Sequence, residues 1–323
     1  MPSRSNPDPE RSFQAHFHHR WNHLHDRHVR ALAWLLCSPD LLDWRAPQWQ
    51  GKIAHLAPEP QIGDWLSALD RAPQALHAYL ELQPRTRLGR YAEKLMAFYF
   101  HQRGTLVAHS VQVQDNRHTT IGEFDFLLRD GTALVHWEFA TKFYLLQTSA
   151  EHAPGYFMGP SLADMLNTKV RKILERQLAL GRHPAAQEHL PQALAGAQAL
   201  IKGWLFYHAG IIPEMSSAGL SMDHCRGFWC TLEEAAGLPG EQYVLLPRLD
   251  WLAPARVPLA DCLDHSGLQQ ALTTYFRANS TPVLVAQLSP QGDVALETAR
   301  GFVVPNDWQR RAHERIATLE HSD

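Results

Sequence analysis

Cysteine is scarce: Cys37, Cys225, Cys230 and Cys262 are the four in 323 residues. That is too few for a disulfide scaffold in a chain of this length. The one close pair, Cys225 and Cys230, with His224 beside it, would supply half a zinc site. No second Cys/His pair at metal-ligand spacing follows, so buried free thiols are the expectation. Long apolar runs are also lacking. None approaches the ~20 residues that cross a bilayer. The stretch Met1–Arg11 is rich in Pro, Ser and charge, with no apolar segment of a signal peptide. A soluble, cytoplasmic protein with a mobile first ten residues is therefore expected. Charge of one sign is lacking too: 30 Lys+Arg against 33 Asp+Glu leave −3, with 20 histidines uncounted. This excludes a general polybasic coat, and any nucleic-acid surface has to be local.

Core material is plentiful. A hydrophobic fraction of 45% with 10% aromatics excludes wholesale disorder. The length fits two domains or one large elaborated one. Ser12 to about Leu42 reads as helix, with Phe13, Phe17, Trp21, Leu24 and His28 at three- and four-residue steps. His16, His18, His19, His23, His25 and His28 lie in it. His19 and His23 have a spacing that a metal can use, but no nearby carboxylate or cysteine completes a set, and a polar helix face is expected. Pro47, Pro58, Pro60 and Pro73 divide the next stretch into short helices and loops.

The text then changes. Leu88–Gln102 is an amphipathic helix with Leu88, Tyr91, Ala92, Leu95, Phe98 and Tyr99 on one stripe, stopped by Gly104. Leu106–Val113, Ile121–Arg129 and Thr132–Leu146 read as strands, the last two joined by a turn at Asp130-Gly131. Ser161–Leu180 returns to a helical period. Gln198–His208, Gly227–Leu232 and Tyr243–Trp251 are strand-like. Leu268–Arg277 is helical, and Pro282–Leu288 with Asp293–Phe302 form a closing pair of strands.

With a two-residue turn at Asp130-Gly131, Arg129 pairs with Thr132, Leu127 with Leu134, Asp125 with His136 and Glu123 with Glu138. Side chains alternate along a strand. One face then carries Phe124, Phe126, Leu128, Val135, Trp137, Phe139 and Phe143. The other carries Glu123, Asp125, His136, Glu138, Ala140 and Lys142. A half-buried hairpin with its polar face in water explains this pattern. Two facts oppose it. Asp and Glu are poor strand formers, and converging carboxylates repel unless a cation lies between them. A tight carboxylate cluster suits a hard divalent ion such as Mg²⁺. A lysine beside it could orient water or stabilise charge on a phosphate.

The order of these pieces resembles the PD-(D/E)XK nuclease superfamily, whose fold is restriction-endonuclease-like. The segments RYAEKLMAFYF, GEFDFLLRD and VHWEFATKFYL carry the likeness over about residues 85–210. GPSLADMLNTKV, KGWLFYH, CRGFWC and YVLLPRLDWLAP extend a closer one, over most of the chain, to an uncharacterised bacterial domain-of-unknown-function family assigned to that superfamily. The resemblance implies an α/β fold, a mixed β-sheet flanked by helices, with the nuclease-like core at 81–215. A tail and helical extension would occupy 1–80, and a β-rich C-terminal elaboration 216–323. It implies that Asp125, Glu138 and Glu93 hold Mg²⁺ or Mn²⁺, with Glu123 a further ligand and Lys142 the catalytic lysine. The family places that lysine two residues after the glutamate. Here Ala140 stands there, and Lys142 lies roughly 13 Å along the strand from Glu138 at ~3.3 Å per residue. Lys169 and Lys172 are substitutes, or ordinary residues of a solvated helix face. The implied activity is metal-dependent phosphodiester hydrolysis of nucleic acid, DNA before RNA. The alternative is a catalytically degenerate module that binds nucleic acid or protein, as the displaced lysine suggests. Two basic stretches would meet phosphate or merely face water: Arg85, Arg87, Arg90 and Lys94, and Lys169, Arg171, Lys172 and Arg176. Trp137, Trp204, Trp229 and Trp251 are read as core, and His136 as a supporting or general-base residue or a polar-face histidine without a role.

Overall fold

The computed structural model describes residues 12–115, 119–149, 152–212 and 219–320. The expected mobile tail falls outside them. Five helices come first: α1 (Phe13–Trp21), α2 (Arg27–Cys37), α3 (Ile62–Arg71), α4 (Gln74–Leu80) and α5 (Leu88–Gln102). The single helix expected over Ser12–Leu42 is thus two. Asp26 ends the break between them: its carboxylate accepts the His28 and Val29 amides and caps α2, while Asp70 accepts the His25 and Asp26 amides. That second start signal overrides the continuing apolar period.

The strands follow as β1 (Leu106–Gln114), β2 (Thr120–Asp130), β3 (Ala133–Ser149), β4 (His152–Met158), β5 (Leu194–His208), β6 (Cys225–Thr231), β7 (Gln242–Leu246), β8 (Arg256–Pro258), β9 (Val283–Gln291) and β10 (Val294–Val304). Helix α6 (Leu166–Lys172) precedes β5, α7 (His265–Ala278) precedes β9, and α8 (Trp308–Glu320) closes the chain. All ten strands form one sheet in the order β1-β2-β3-β5-β6-β10-β9-β7, with β4 on β3 and β8 on β10. Its middle, β3-β5-β6-β10, is parallel, and its flanks are antiparallel. The molecule is therefore a mixed α/β protein with a large central sheet flanked by helices. β5, at the centre, is buried almost continuously from Ala199 to Tyr207, as a parallel strand covered on both faces must be. The strands after residue 219 extend the same sheet. Among the described residues no helix is long and apolar enough to cross a membrane.

The main core lies between the sheet and α1, α2 and α5; Tyr91, Ala92, Leu95, Phe98 and Tyr99 of α5 enter it, as the stripe predicts. The hairpin differs from its expected form. Asp130 pairs with Ala133, so Gly131 and Thr132 make the turn, with Gly131 at φ 58°. Leu127 therefore faces His136, and Phe126 faces Trp137. The two-residue shift preserves side-chain parity but replaces the expected Asp125–His136 and Glu123–Glu138 pairs. A second difference concerns Phe124. It joins the cluster of Val113, Leu127 and Leu134, whereas Phe126 joins the α5 core. The β1–β2 ladder passes from His109↔Phe126 to Val111↔Phe124, and Ser110 between them has the left-handed φ of 54°. Phe124 and Phe126 therefore pack into different clusters on either side of Asp125.

Candidate functional site

The β2–β3 ladder stops at Phe126↔Trp137, and the next residue outward on β2 is Asp125. It sits where the strands part. Its Oδ2 accepts the Phe139 amide at 2.9 Å, filling part of the gap in the ladder. Glu123 follows on the same strand, and α5 brings Glu93 from a different part of the chain. One carboxylate oxygen from each of Glu93, Glu123 and Asp125 lies within 4.8 Å of the others. All three residues are partly buried. Among the described residues this is the one group of three or more His, Cys, Asp or Glu side chains at such spacing.

Glu138, expected as the second acidic ligand, stands outside that trio. It is only 2% exposed, and both its oxygens are engaged. Oε1 lies 2.8 Å from Nε2 of His136, and Oε2 accepts from Nε2 of Gln177 at 2.6 Å. Burial pushes the Asp125 carboxyl up to about 8, with the Glu138 charge adding to it and the Phe139 amide opposing. Burial likewise pushes Glu138 up to about 7. Burial holds His136 down near 4, so its ring is neutral at pH 7. The fork thus retains protons at neutral pH unless a cation takes their place.

Lys142 is partly buried on β3. Burial lowers its pKa; the charges acting on it are, in order, Asp164, Lys169 and then Asp125. Asp164 also pairs with Lys169 at 3.3 Å. Lys169 is thereby a partner of Asp164 rather than a member of the acidic cluster, and Lys172 is exposed. In the first basic stretch Arg90 reaches the cluster, at 2.6 Å from Glu93, while Lys94 donates to the Leu80 carbonyl at 2.6 Å. Arg85 and Arg87 are exposed, as are Arg171 and Arg176.

The remaining expected features are structural. Cys225 and Cys230 are buried thiols pushed up to about 12 by burial. His224 bonds Tyr207 and the Ser221 carbonyl, at 2.7 and 2.5 Å. His23 contacts Ser67 at 3.0 Å, and His18 is buried against the Glu297 carbonyl at 3.1 Å. Trp204, Trp229 and Trp251 are core, and Trp137 packs against it. Two site residues carried no sequence signal. Gln177 lies in a π-helical turn, Ile173–Gln177, that continues α6; an apolar period does not reveal such a turn. Ser110 reaches Glu93 at 2.6 Å through its left-handed backbone, which a strand pattern does not announce.

The donor set fits a divalent cation of the hard, oxygen-seeking kind: one oxygen from each of three partly buried carboxyl groups, within 4.8 Å of one another. Thiol and imidazole ligands are absent from it.

The family model described as Domain of unknown function (DUF1853) matches residues 30–304, from α2 to the end of β10. No curated protein matches. No solved structure matches.

Proposed function

The chain belongs to the DUF1853 family, and from that premise we propose that it is a metal-dependent hydrolase of phosphodiester bonds in nucleic acid, DNA before RNA, on a restriction-endonuclease-like core. One observation carries the reading: Glu93, Glu123 and Asp125 converge from α5 and β2 at the point where β2 and β3 separate. The sheet order β1-β2-β3-β5, with β5 parallel to β3, supports the fold assignment.

Asp125, Glu93 and Glu123 would hold Mg²⁺ or Mn²⁺. Bound there, such an ion polarises a phosphoryl oxygen and lowers the pKa of a coordinated water. The protein's own part is positional. The Phe139 amide fixes one oxygen of Asp125. His136 and Gln177 fix both oxygens of Glu138, which would stand by as a further acidic group beside the ligand set. Lys142 would be the source of positive charge for a phosphate held there. One observation favours a second reading, a nucleic-acid- or protein-binding module without cleavage: Ala140 stands two residues after Glu138, where the nuclease superfamily places its lysine.

The test is cleavage of linear, branched and single-stranded DNA and RNA with Mg²⁺ or Mn²⁺ by the wild type, Asp125→Ala and Glu138→Ala. The hydrolase reading expects metal-dependent products that fall at least about 100-fold in the Asp125 variant, the scale of losing a principal electrostatic catalyst. Equal cleavage by wild type and Asp125→Ala removes the proposed site. Tight binding without products selects the second reading.

A further inference from the structure

We propose that Arg90 is the internal counter-cation of the carboxylate site, and that a divalent ion displaces it on binding. The inference rests on the metal-site reading above. Arg90 lies one turn before Glu93 on α5. Its Nη1 is 2.6 Å from Glu93 Oε1, 2.5 Å from Ser110 Oγ and 3.6 Å from Glu123 Oε1. An ordinary ion pair three residues apart stays on its own helix. This guanidinium joins three elements: α5, β1 and β2.

It also occupies ligand atoms. Glu93 Oε1 receives Arg90 and, at 2.6 Å, the Ser110 hydroxyl. Glu93 and Glu123 are two of the three converging carboxylates. A hard ion such as Mg²⁺ takes its oxygens at ~2.0–2.1 Å. A guanidinium in contact with the same residues repels that ion and competes for their lone pairs.

Neighbouring groups do not do this job. Lys94 is committed to the Leu80 carbonyl. His109, which feels Glu93 and Arg90, has its pKa lowered by burial, so burial disfavours its charged form. Among the described residues, the cation in contact with the cluster is Arg90. Its side chain is 45% exposed, so it can swing into solvent without unpacking the core. The metal-free site is then held together by Arg90, and the loaded site by the ion.

Calorimetric titration of Mn²⁺ into the full chain tests this, using wild type, Arg90→Gln, Arg90→Lys and Asp125→Asn. Arg90→Gln is expected to bind Mn²⁺ more tightly, on the order of tenfold, as when a unit charge about 4 Å from a dication is removed under near-aqueous screening. Arg90→Lys, which keeps the charge, is expected to stay near wild type. Equal or weaker binding by Arg90→Gln overturns the inference. On the wild type itself, the Arg90 Nε–H resonance, assigned by comparison with Arg90→Lys, is expected to shift on adding Mg²⁺. An unmoved resonance at saturating Mg²⁺ also overturns it. If wild type binds Mn²⁺ and Asp125→Asn does not, yet Arg90→Gln fails to tighten, only the Arg90 inference falls. If no form binds Mn²⁺, the metal-site reading falls with it.

Discussion

Asp125 is the residue at which the chain concentrates its electrostatic cost. Burial and then the charge of Glu138 raise its pKa from 3.8 to about 8 in the folded chain. Between those values the folded state holds a proton that the unfolded state has released, so stability falls as pH rises. Glu138, raised to about 7, acts in the same direction over a narrower window. The buried histidines act oppositely. His18, His28 and His136 are lowered from 6.5 to about 3, 4 and 4, so the stability they contribute is present above pH 6.5 and lost as pH falls. The two sets separate at pH 6.5. From there to pH 8 the metal-free protein is expected to lose stability, read as a falling midpoint in denaturant. Asp125→Asn should largely flatten that slope, because the amide does not titrate, and its stability at pH 8 should exceed the wild type's. A slope unchanged by Asp125→Asn would show that the carboxyl is not held protonated by the fold.

At the scale of elements, the site depends on where β2 and β3 part and on how β5 supports β3. Gly203 of β5 pairs with Lys142 of β3, and a Cβ at Gly203 would collide with the Lys142 carbonyl oxygen. That is backbone against backbone, which no side-chain rotation relieves. Gly203→Ala is expected to lose about 3 kcal/mol or more in equilibrium unfolding, the upper end for overpacking. A loss under about 1 kcal/mol would mean the strands shift apart freely at this point, below the usual cost of such a substitution. Much of this framework was legible beforehand. The stripe of α5 and the runs of β1, β2, β3, β5, β9 and β10 all announce themselves through apolar period, because packing imposes that period. The pairing register did not, because the strand pattern fits turns at Asp130-Gly131 and at Gly131-Thr132 equally well. Asp125 and Glu123 were legible as charges placed where strands disfavour them. Ser110 and Gln177 were not, since a left-handed strand residue and a π-helical turn leave no mark in composition. Arg90 looked like any basic residue on a helix until the fold brought Ser110 and Glu123 to it.

Across the whole molecule, one sheet carries both the site and the C-terminal third. Buried ionic groups tie the parts together. Arg300 of β10, fully buried, meets Glu297 at 2.6 Å and also donates to the Trp251 and Ala253 carbonyls. Arg30 of α2 donates to the Pro254 carbonyl of the same segment at 2.9 Å. The N-terminal helices, the 251–255 segment and β10 thus hold one another, and the β2–β3 fork opens from a rigid frame. The net charge of −3 takes on a local meaning in this frame. Part of the acidity is gathered at Glu93, Glu123 and Asp125, where a divalent ion would offset it, so the acidic balance weighs little against a phosphate-bearing partner. The proposed metal centre is formed by these carboxylates. Its most direct test is the Mn²⁺ bound per chain by wild type and by Asp125→Asn, counted by electron paramagnetic resonance at pH 8. Saturable binding to the wild type that Asp125→Asn abolishes is expected. Equal binding by the two, or none by the wild type, would contradict it.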